Sequence, residues 1–153
     1  MKKIFIRTLS SLLFFCILGG CVFAGTEEVK QNIIKQAKEM GVEPAIVLSI
    51  AKTESGFNQA VKSSGGHIGV FQLSYQTAKN MGYNPYNLDE NIKAGITYYK
   101  NMYKRFGSIE LAVAAYNAGP DAIKRNNNAV PNYTRPFVSR IMKDYNNYKN
   151  AGL

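Results

Sequence analysis

Apolar side chains recur at helical spacing along most of this chain. The clearest stripe lies within residues 89–106 and consists of Ile92, Ile96, Tyr99, Tyr103 and Phe106. Side chains spaced by three or four positions lie on one face of an α-helix, so this stretch is predicted to be helical. Asp89 is predicted to cap the helix, and Gly107 is predicted to end it.

Weaker stripes of the same period predict further helices, joined by short polar turns. They cover residues 27–40, 44–54, 74–81, 108–116 and a last segment that opens at Thr134. Residues 56–68, 117–120 and 126–132 are predicted to be loops or turns because Gly, Ser, Asn and Pro dominate them. No run of alternating β-branched residues predicts a substantial sheet. The pattern therefore indicates one mainly α domain with a groove.

The first 24 residues have the layout of a secretory signal peptide. Lys2, Lys3 and Arg7 form a basic start, an apolar stretch covers residues 9–18, and small residues follow. This order of features is typical of segments that direct export. The apolar stretch is shorter than the roughly 20 residues that a membrane-spanning helix needs.

Two cleavage sites fit this segment. Cleavage after Ala24 would leave residues 25–153 as the mature domain, whereas Leu18-Gly19-Gly20-Cys21 resembles a lipobox. In the second case Cys21 would be lipidated and become the first residue. Both alternatives remain open at this point.

Composition narrows the function further. Both cysteines lie in the leader, so the domain has no internal disulfide, and with a single histidine a metal site is unsupported. The net charge of +9 becomes +6 once the three basic leader residues are removed. A basic exported protein is attracted to anionic wall polymers and membrane surfaces. The lysines are scattered and form no nucleic-acid motif, which argues against a nucleic-acid partner.

One glutamate offers recognisable chemistry. Glu54 opens the run Glu-Ser-Gly-Phe-Asn, where a predicted helix meets a turn, with apolar Ile50 and Phe57 nearby. Burial disfavours the charged form of a carboxyl group and raises its pKa. A carboxyl that stays protonated near neutral pH can act as the general acid in cleavage of a glycosidic bond.

Two more runs follow Glu54 in a fixed order: Gly-Val-Phe-Gln at residues 69–72 and Ala-Ala-Tyr-Asn-Ala-Gly-Pro at residues 114–120. Together the three runs resemble those of the lytic transglycosylases with a soluble-lytic-transglycosylase (SLT) domain. The resemblance covers roughly residues 30–145. It implies a single lysozyme-like domain of goose or SLT type with a substrate groove. It also implies cleavage of the MurNAc–GlcNAc β-1,4 bond of peptidoglycan without water, which leaves 1,6-anhydro ends.

The other acidic residues offer no obvious partner to Glu54, since they fit helix starts or solvated helix positions. Most glycosidases use two carboxylates. A lone carboxyl suits an intramolecular reaction, in which Glu54 protonates the leaving oxygen and then takes a proton from the muramic 6-hydroxyl. The tethered attacking group lowers the entropic part of the barrier.

The resemblance also implies roles for four neighbours of Glu54. Ser55 would bind substrate or orient the site, Gln72 would bind an N-acetyl or hydroxyl group, and Asn117 would support a turn and contact sugar. Tyr116 would reach Glu54 with its hydroxyl and help to set its protonation. The simpler interpretations are a helix-terminal hydroxyl for Ser55, a helix-flanking amide for Gln72 and a core or rim tyrosine for Tyr116.

Some expectations concern other positions near the three runs. Gly69 and Gly119 are predicted where a side chain would crowd the groove. His67 stands where the family usually has a small residue and where some relatives have an Asp as a second acid. Because a histidine cannot act as that carboxylate, it weakens the hydrolase alternative. An exposed loop histidine is favoured over a catalytic one.

The aromatic residues divide into two predicted groups. Tyrosines near the loops are predicted to rim the groove, namely Tyr75, Tyr83 and Tyr86. Those on the helical stripes are predicted to be core residues, namely Tyr99, Tyr103, Tyr145 and Tyr148.

The sequence thus predicts an exported peptidoglycan lyase without a cofactor, in the periplasm or cell envelope, with a lipid anchor if Cys21 is used. Peptidoglycan strands are the expected partner. The family and the small size also suggest service to an envelope-spanning secretion, conjugation or pilus machine. A water-using muramidase and a non-catalytic wall-binding component are the alternatives.

Overall fold

The computed structural model describes the backbone of residues 20–153 and the side chains of residues 25–153. Two helices come first: α1, Gly20–Glu39, and α2, Pro44–Ser55. A two-stranded hairpin follows, formed by β1, His67–Ile68, and β2, Leu73–Ser74. The remaining α-helices are α3, Tyr75–Asn80, α4, Leu88–Phe106, α5, Ile109–Ala118, α6, Pro120–Arg125, and α7, Arg135–Asn150, with a short 3₁₀ turn at Asn132–Thr134. Residues 1–19 of the predicted leader and the side chains of residues 20–24, including that of Cys21, lie outside the described part of the chain.

Local signals explain most of the helix boundaries. Pro44 begins α2, and Gly56 ends it in the left-handed conformation at φ 63°. Ser74 and Ser108 cap α3 and α5 through their side chains. The cap predicted at Asp89 is wrong. Asn87 caps α4 by accepting a hydrogen bond from the Glu90 amide, and Asp89 lies in the first turn.

The predicted turn at residues 117–120 is shorter than expected. Helix α5 continues to Ala118, and α6, which the sequence pattern did not separate, begins at Pro120. Gly119 alone makes the break, with φ 80° and ψ 149°, and the proline has no amide hydrogen to continue the preceding helix. The two helices therefore meet at a sharp corner beside the end of α5.

Helix α2 forms the centre of the core. Every residue from Ala45 to Ala51 is buried, and α1, α4 and α7 pack around this helix. Tyr99 and Tyr145 are buried as predicted. Tyr103, predicted to be a core residue, is 45% exposed because it lies in the last turn of α4, and Tyr148 is half-buried. A buried central helix fixes the position of its own C-terminal turn, where Glu54 lies.

A close contact joins α4 to the loop between the two strands. Phe71 is fully buried, and its ring lies against the backbone of Gly95. A Cβ built at Gly95 would overlap the Cβ and Cγ atoms of Phe71. Residue 95 must therefore lack a side chain for the loop to reach this depth.

Within residues 20–153 no helix combines the length and the apolar character needed to cross a membrane. Among the side chains of residues 25–153 there is no cluster of three or more His, Cys, Asp or Glu that could hold a metal ion.

We expect Gly95→Ala to destabilise the protein. Alanine would favour the helix by about 1 kcal/mol, but overpacking of a core typically costs about 1–3 kcal/mol. Because Phe71 Cβ is itself in the clash, only a backbone shift can relieve it, so the cost lies at the upper end of this range. We expect a net loss of about 2 kcal/mol in the free energy of unfolding, measured by urea denaturation. Lys93→Ala, at an exposed position of the same helix, is the control and should change stability little. A Gly95→Ala protein as stable as the wild type would contradict this packing.

Candidate active site

Glu54 lies in the last turn of α2, as predicted, and its side chain is half-buried. Burial raises the pKa of the Glu54 carboxyl to about 7. Ile50, on the preceding turn, is fully buried, and Phe57, just after the helix, is 7% exposed. The two apolar residues noted in the sequence are thus buried, and with a pKa of about 7 a substantial fraction of the Glu54 side chains carries a proton near neutral pH.

The carboxyl faces a cavity of about 390 Å³. The cavity is lined by Glu54, Ser63, His67, Gln72, Leu73, Ser74, Thr77, Tyr98, Tyr116, Asn117, Ala118 and Gly119. Among these described lining residues Glu54 has the only carboxyl group, and no lysine or arginine is present. The cavity therefore offers one acid and a wall of neutral hydrogen-bonding groups.

Ser55 uses its hydroxyl within the protein. Its Oγ donates to the carbonyl oxygen of Val70 at 2.8 Å and accepts from the Asn58 amide at 3.1 Å. These contacts join the end of α2 to the loop between the strands and to the turn that follows Glu54. Of the two roles expected for Ser55, its contacts suit orientation of the site.

The loop that carries the Gly-Val-Phe-Gln run is held by two side-chain amides. Asn91, fully buried on α4, donates from Nδ2 to the Ile68 carbonyl at 2.9 Å and accepts at Oδ1 from the Phe71 amide at 2.9 Å. Gln59 accepts at Oε1 from the Val70 amide at 3.1 Å. Side chains therefore satisfy backbone groups of Ile68, Val70 and Phe71, while the Gly69 amide donates to the Val61 carbonyl at 2.9 Å.

The same two amides explain the glycine at the start of the loop. Gly69 has φ 76°, and a Cβ there would come within 2.5 Å of Asn91 Nδ2 and Gln59 Oε1. The side chain would thus crowd buried amides, not the groove as predicted. At Gly119 a Cβ would have no atom within 4 Å, so lack of space does not explain the glycine. Its φ of 80° does, since residues with a side chain rarely adopt that conformation.

Gln72 lines the cavity and is held by its own amide group. Its Nε2 donates to the carbonyl oxygens of Gly69 at 2.8 Å and Val61 at 3.1 Å. Its backbone adopts φ 46°, an unusual conformation for a residue with a side chain. No described residue donates to Oε1, so this oxygen is the acceptor that Gln72 offers to a ligand.

Tyr116 is buried in the wall of the cavity and bonds differently from the prediction. Its hydroxyl donates to the Phe71 carbonyl at 2.8 Å, and within the described residues the Glu54 carboxyl has no hydrogen bond. A phenol has a single hydrogen, and here the loop backbone receives it. Burial, and secondarily the nearby Glu54 charge, holds the pKa of Tyr116 well above its ordinary value. Tyr98 packs edge-on against its ring at a centroid distance of 5.1 Å.

The remaining predicted residues lie around this centre. Asn117 is exposed, lines the cavity and belongs to the last turn of α5 instead of a separate turn. Tyr75 and Tyr86 are exposed with ring centroids 6.3 Å apart, but neither lines this cavity. Tyr83 is half-buried.

Sequence reasoning missed one wall of the cavity, formed by Ser63, His67, Ser74 and Thr77. His67 is exposed, as predicted, but it lies in a strand and lines the cavity instead of lying in a loop. Nothing in the sequence pattern singles out Ser63 or Thr77. The one available signal was position, because these residues flank the Gly-Val-Phe-Gln run on both sides.

The pKa of Glu54 makes stability depend on pH. Because the folded-state pKa of about 7 exceeds the ordinary 4.5, the folded protein keeps a proton that the unfolded chain has lost. Stability due to this group therefore falls as pH rises from about 4.5 to about 7 and stays reduced above that range. Glu54→Gln removes the charge, so its stability gain over the wild type should grow over this range to as much as about 3 kcal/mol.

Urea denaturation of the two proteins at about pH 5 and about pH 8 measures this difference. Glu110→Gln is the control, since this side chain is exposed in the first turn of α5 and should show no such growing gain. An equal stability difference between Glu54→Gln and wild type at both pH values would contradict the burial of the carboxyl.

Known proteins are similar to this chain in sequence and in fold. The family model described as Transglycosylase SLT domain matches residues 31–135. The Transglycosylase of Enterobacteria phage PRD1 is 29% identical over 117 residues, which are 76% of this chain and 42% of that protein. The Membrane-bound lytic murein transglycosylase F of Desulfosudis oleivorans is 32% identical over 95 residues, 57% of this chain and 21% of the relative. The chain thus spans less than half the length of these relatives.

A solved structure supports the fold. The X-ray structure of the lytic transglycosylase Slt from Pseudomonas aeruginosa, an inactive glutamate-to-glutamine mutant, matches with a TM-score of 0.68 and 24% identity. The match covers 80% of this chain and 24% of that one, and it establishes the predicted lysozyme-like helical fold. Because the family model matches more than half of the residues, the chain belongs to the Transglycosylase SLT domain family.

Proposed function

We propose that this protein is a peptidoglycan lytic transglycosylase that cleaves the MurNAc–GlcNAc β-1,4 bond without water. The observation that carries the proposal is a single carboxyl group of raised pKa in a cavity whose described lining contains no second one. Membership of the SLT family and the names of the relatives, one of which is a murein transglycosylase, support the same substrate.

The first step is protonation of the leaving group. Glu54, protonated in a substantial fraction of molecules at pH 7, donates its proton to the glycosidic oxygen as the bond from that oxygen to the muramic C1 breaks. Positive charge then develops at C1. The substrate's own N-acetyl group is positioned to stabilise it, as in substrate-assisted glycosidases.

The second step reverses the role of Glu54. As a carboxylate it takes the proton from the muramic 6-hydroxyl, and that oxygen bonds to C1 to close the 1,6-anhydro ring. Glu54 regains its proton, and the reaction neither consumes nor releases water. Because the attacking oxygen belongs to the same sugar, no second carboxylate is needed to activate a water molecule.

The other predicted site residues receive distinct roles in this mechanism. Ser55 and Tyr116 position the loop between the strands through the Val70 and Phe71 carbonyls, beside the catalytic carboxyl. Gln72 presents Oε1 to a donor such as the acetamido N–H, while its Nε2 is held by the backbone. Asn117 offers its exposed amide to sugar hydroxyls at the edge of the cavity.

The cell envelope is the proposed site of action, with peptidoglycan strands as the partner and no cofactor. The basic charge of the domain favours attraction to anionic wall polymers. Export by the predicted leader, a lipid anchor at Cys21 and service to a secretion, conjugation or pilus machine extend this proposal.

Mass spectrometry of the muropeptides released from purified sacculi tests the reaction. We expect wild-type protein to release products one water lighter than hydrolytic ones, because the 6-hydroxyl replaces water. Glu54→Gln keeps the shape of the side chain but cannot donate and recover the proton, so the rate should fall by at least about 100-fold.

The control is Glu110→Gln, which removes an exposed carboxyl outside the cavity and should release anhydro products at the wild-type rate. Products with reducing ends would instead identify a muramidase. Unaltered activity of Glu54→Gln would refute the mechanism, and a wild-type protein that binds sacculi but releases nothing would be a wall-binding component.

A further inference from the structure

We propose that His67 is a sugar-binding residue of the Glu54 cavity, whose Nε2–H donates a hydrogen bond to an uncharged oxygen of the glycan strand. The inference rests on the proposed function, because it takes peptidoglycan glycan as the ligand. It assigns a specificity role to a residue that the mechanism above does not use.

The hairpin directs His67 into the cavity. Strands β1 and β2 are antiparallel, with His67 paired to Ser74 and Ile68 paired to Leu73. Directly paired residues project from the same face of a hairpin, and alternate pairs project from opposite faces. Ile68 and Leu73 are almost fully buried, and His67 and Ser74 both line the cavity with Glu54. The pairing of these two residues with β2 thus places the imidazole on the face of the hairpin that lines the cavity.

Ser63 orients the imidazole ring. Its Oγ accepts from the His67 amide at 3.1 Å and lies 3.2 Å from His67 Nδ1. The Ser63 hydroxyl carries a single hydrogen, and we assign that hydrogen to Nδ1. A neutral imidazole that accepts at Nδ1 carries its proton on Nε2, so the ring is a hydrogen-bond donor at Nε2.

Space for this arrangement is provided by a glycine. A Cβ at Gly65 would lie 3.2 Å from His67 Nδ1 and 3.4 Å from its Cε1. The missing side chain lets Ser63 reach the ring from the same turn. The segment therefore holds the imidazole in one orientation, although the residue is exposed.

The chemistry of the wall selects a neutral oxygen as the acceptor. Near His67 the described lining contains the hydroxyls of Ser63, Ser74 and Thr77, and those of Ser74 and Thr77 bond to each other at 2.8 Å. No lysine or arginine is present among the described lining residues. A site for the carboxylates of a peptide stem would be expected to hold a lysine or arginine. Short hydroxyls and a neutral donor match instead the acetamido carbonyl and hydroxyl oxygens of the sugars.

Calorimetric titration with glycan strands stripped of their stem peptides tests the contact. All proteins carry Glu54→Gln, so that the ligand is not cleaved. Loss of one neutral hydrogen bond weakens binding by about 3- to 10-fold, and this is expected for the added His67→Ala. His67→Gln, which keeps an N–H donor, should recover part of the loss, and Ser63→Ala should weaken binding less than His67→Ala does.

Gln76→Ala is the matched control, since Gln76 is exposed on α3 close to the hairpin but does not line the cavity. It should bind the strands like the parent protein. With Glu54 intact, the His67→Ala change should raise KM for sacculi while kcat changes little, because the contact binds sugar and transfers no proton.

Nitrogen NMR gives an independent readout, because His67 is the only histidine in the chain. In untagged Glu54→Gln protein at alkaline pH, the proton is expected on Nε2. Ser63→Ala should shift the tautomer balance toward Nδ1–H. Addition of the stripped strands should move the Nε2–H signal.

The outcomes separate this inference from the proposed function. Wild-type binding by His67→Ala, or an effect seen only with strands that retain their peptides, would overturn the sugar contact and leave the reaction intact. A wild-type protein that releases no anhydro products would overturn the reaction. Weaker binding by His67→Ala would still support the contact.

Discussion

The structure depends on the buried amide of Asn91. Its side chain satisfies the Ile68 carbonyl, the Phe71 amide and the Pro85 carbonyl from within α4, with no exposure to solvent. A buried backbone group that lacks a partner costs about 1–3 kcal/mol, so this one residue removes several such penalties at once. It thereby allows an irregular loop to run through the core instead of over the surface.

Other side chains complete the anchoring of this loop. Gln59 bonds the Val70 amide, Ser55 bonds the Val70 carbonyl and Tyr116 bonds the Phe71 carbonyl. These residues come from α2, α5 and the turn after Glu54. Every part of the catalytic neighbourhood is therefore joined to the same stretch of backbone, and a shift of the loop would move both the carboxyl and the cavity wall. Gly95 contributes by leaving room for Phe71, the apolar anchor of the loop.

The proposed mechanism and the stability of the fold make opposite demands on Glu54. A general acid must hold its proton near neutral pH, and burial of the carboxyl raises its pKa to about 7. Burial without a hydrogen-bonding partner destabilises the ionised form of the folded protein. The rigid α2 core tolerates this cost, as expected for an active site that trades stability for reactivity.

The sequence by itself determined the described α-helices other than α6, the glycine that ends α4 and the place of Glu54 at the end of α2. These features follow from local rules, since helical period, capping serines and glycine stops act within a few residues. The three runs were also sufficient to indicate the family. Local rules failed where two residues of one turn could both cap a helix. At the start of α4, Asn87 is the cap and Asp89 lies in the first turn.

Only the tertiary structure decided which groups meet in the cavity. The hydrogen of Tyr116 goes to a carbonyl 45 residues away along the chain, and Asn91 bonds a loop 20 positions earlier. The two-residue strands are too short to show a period, so their face, and with it the place of His67, was not predictable. Hydrogen-bond partners and burial depend on the distances between elements in the folded protein. A sequence pattern specifies only which side chains each helix or strand carries.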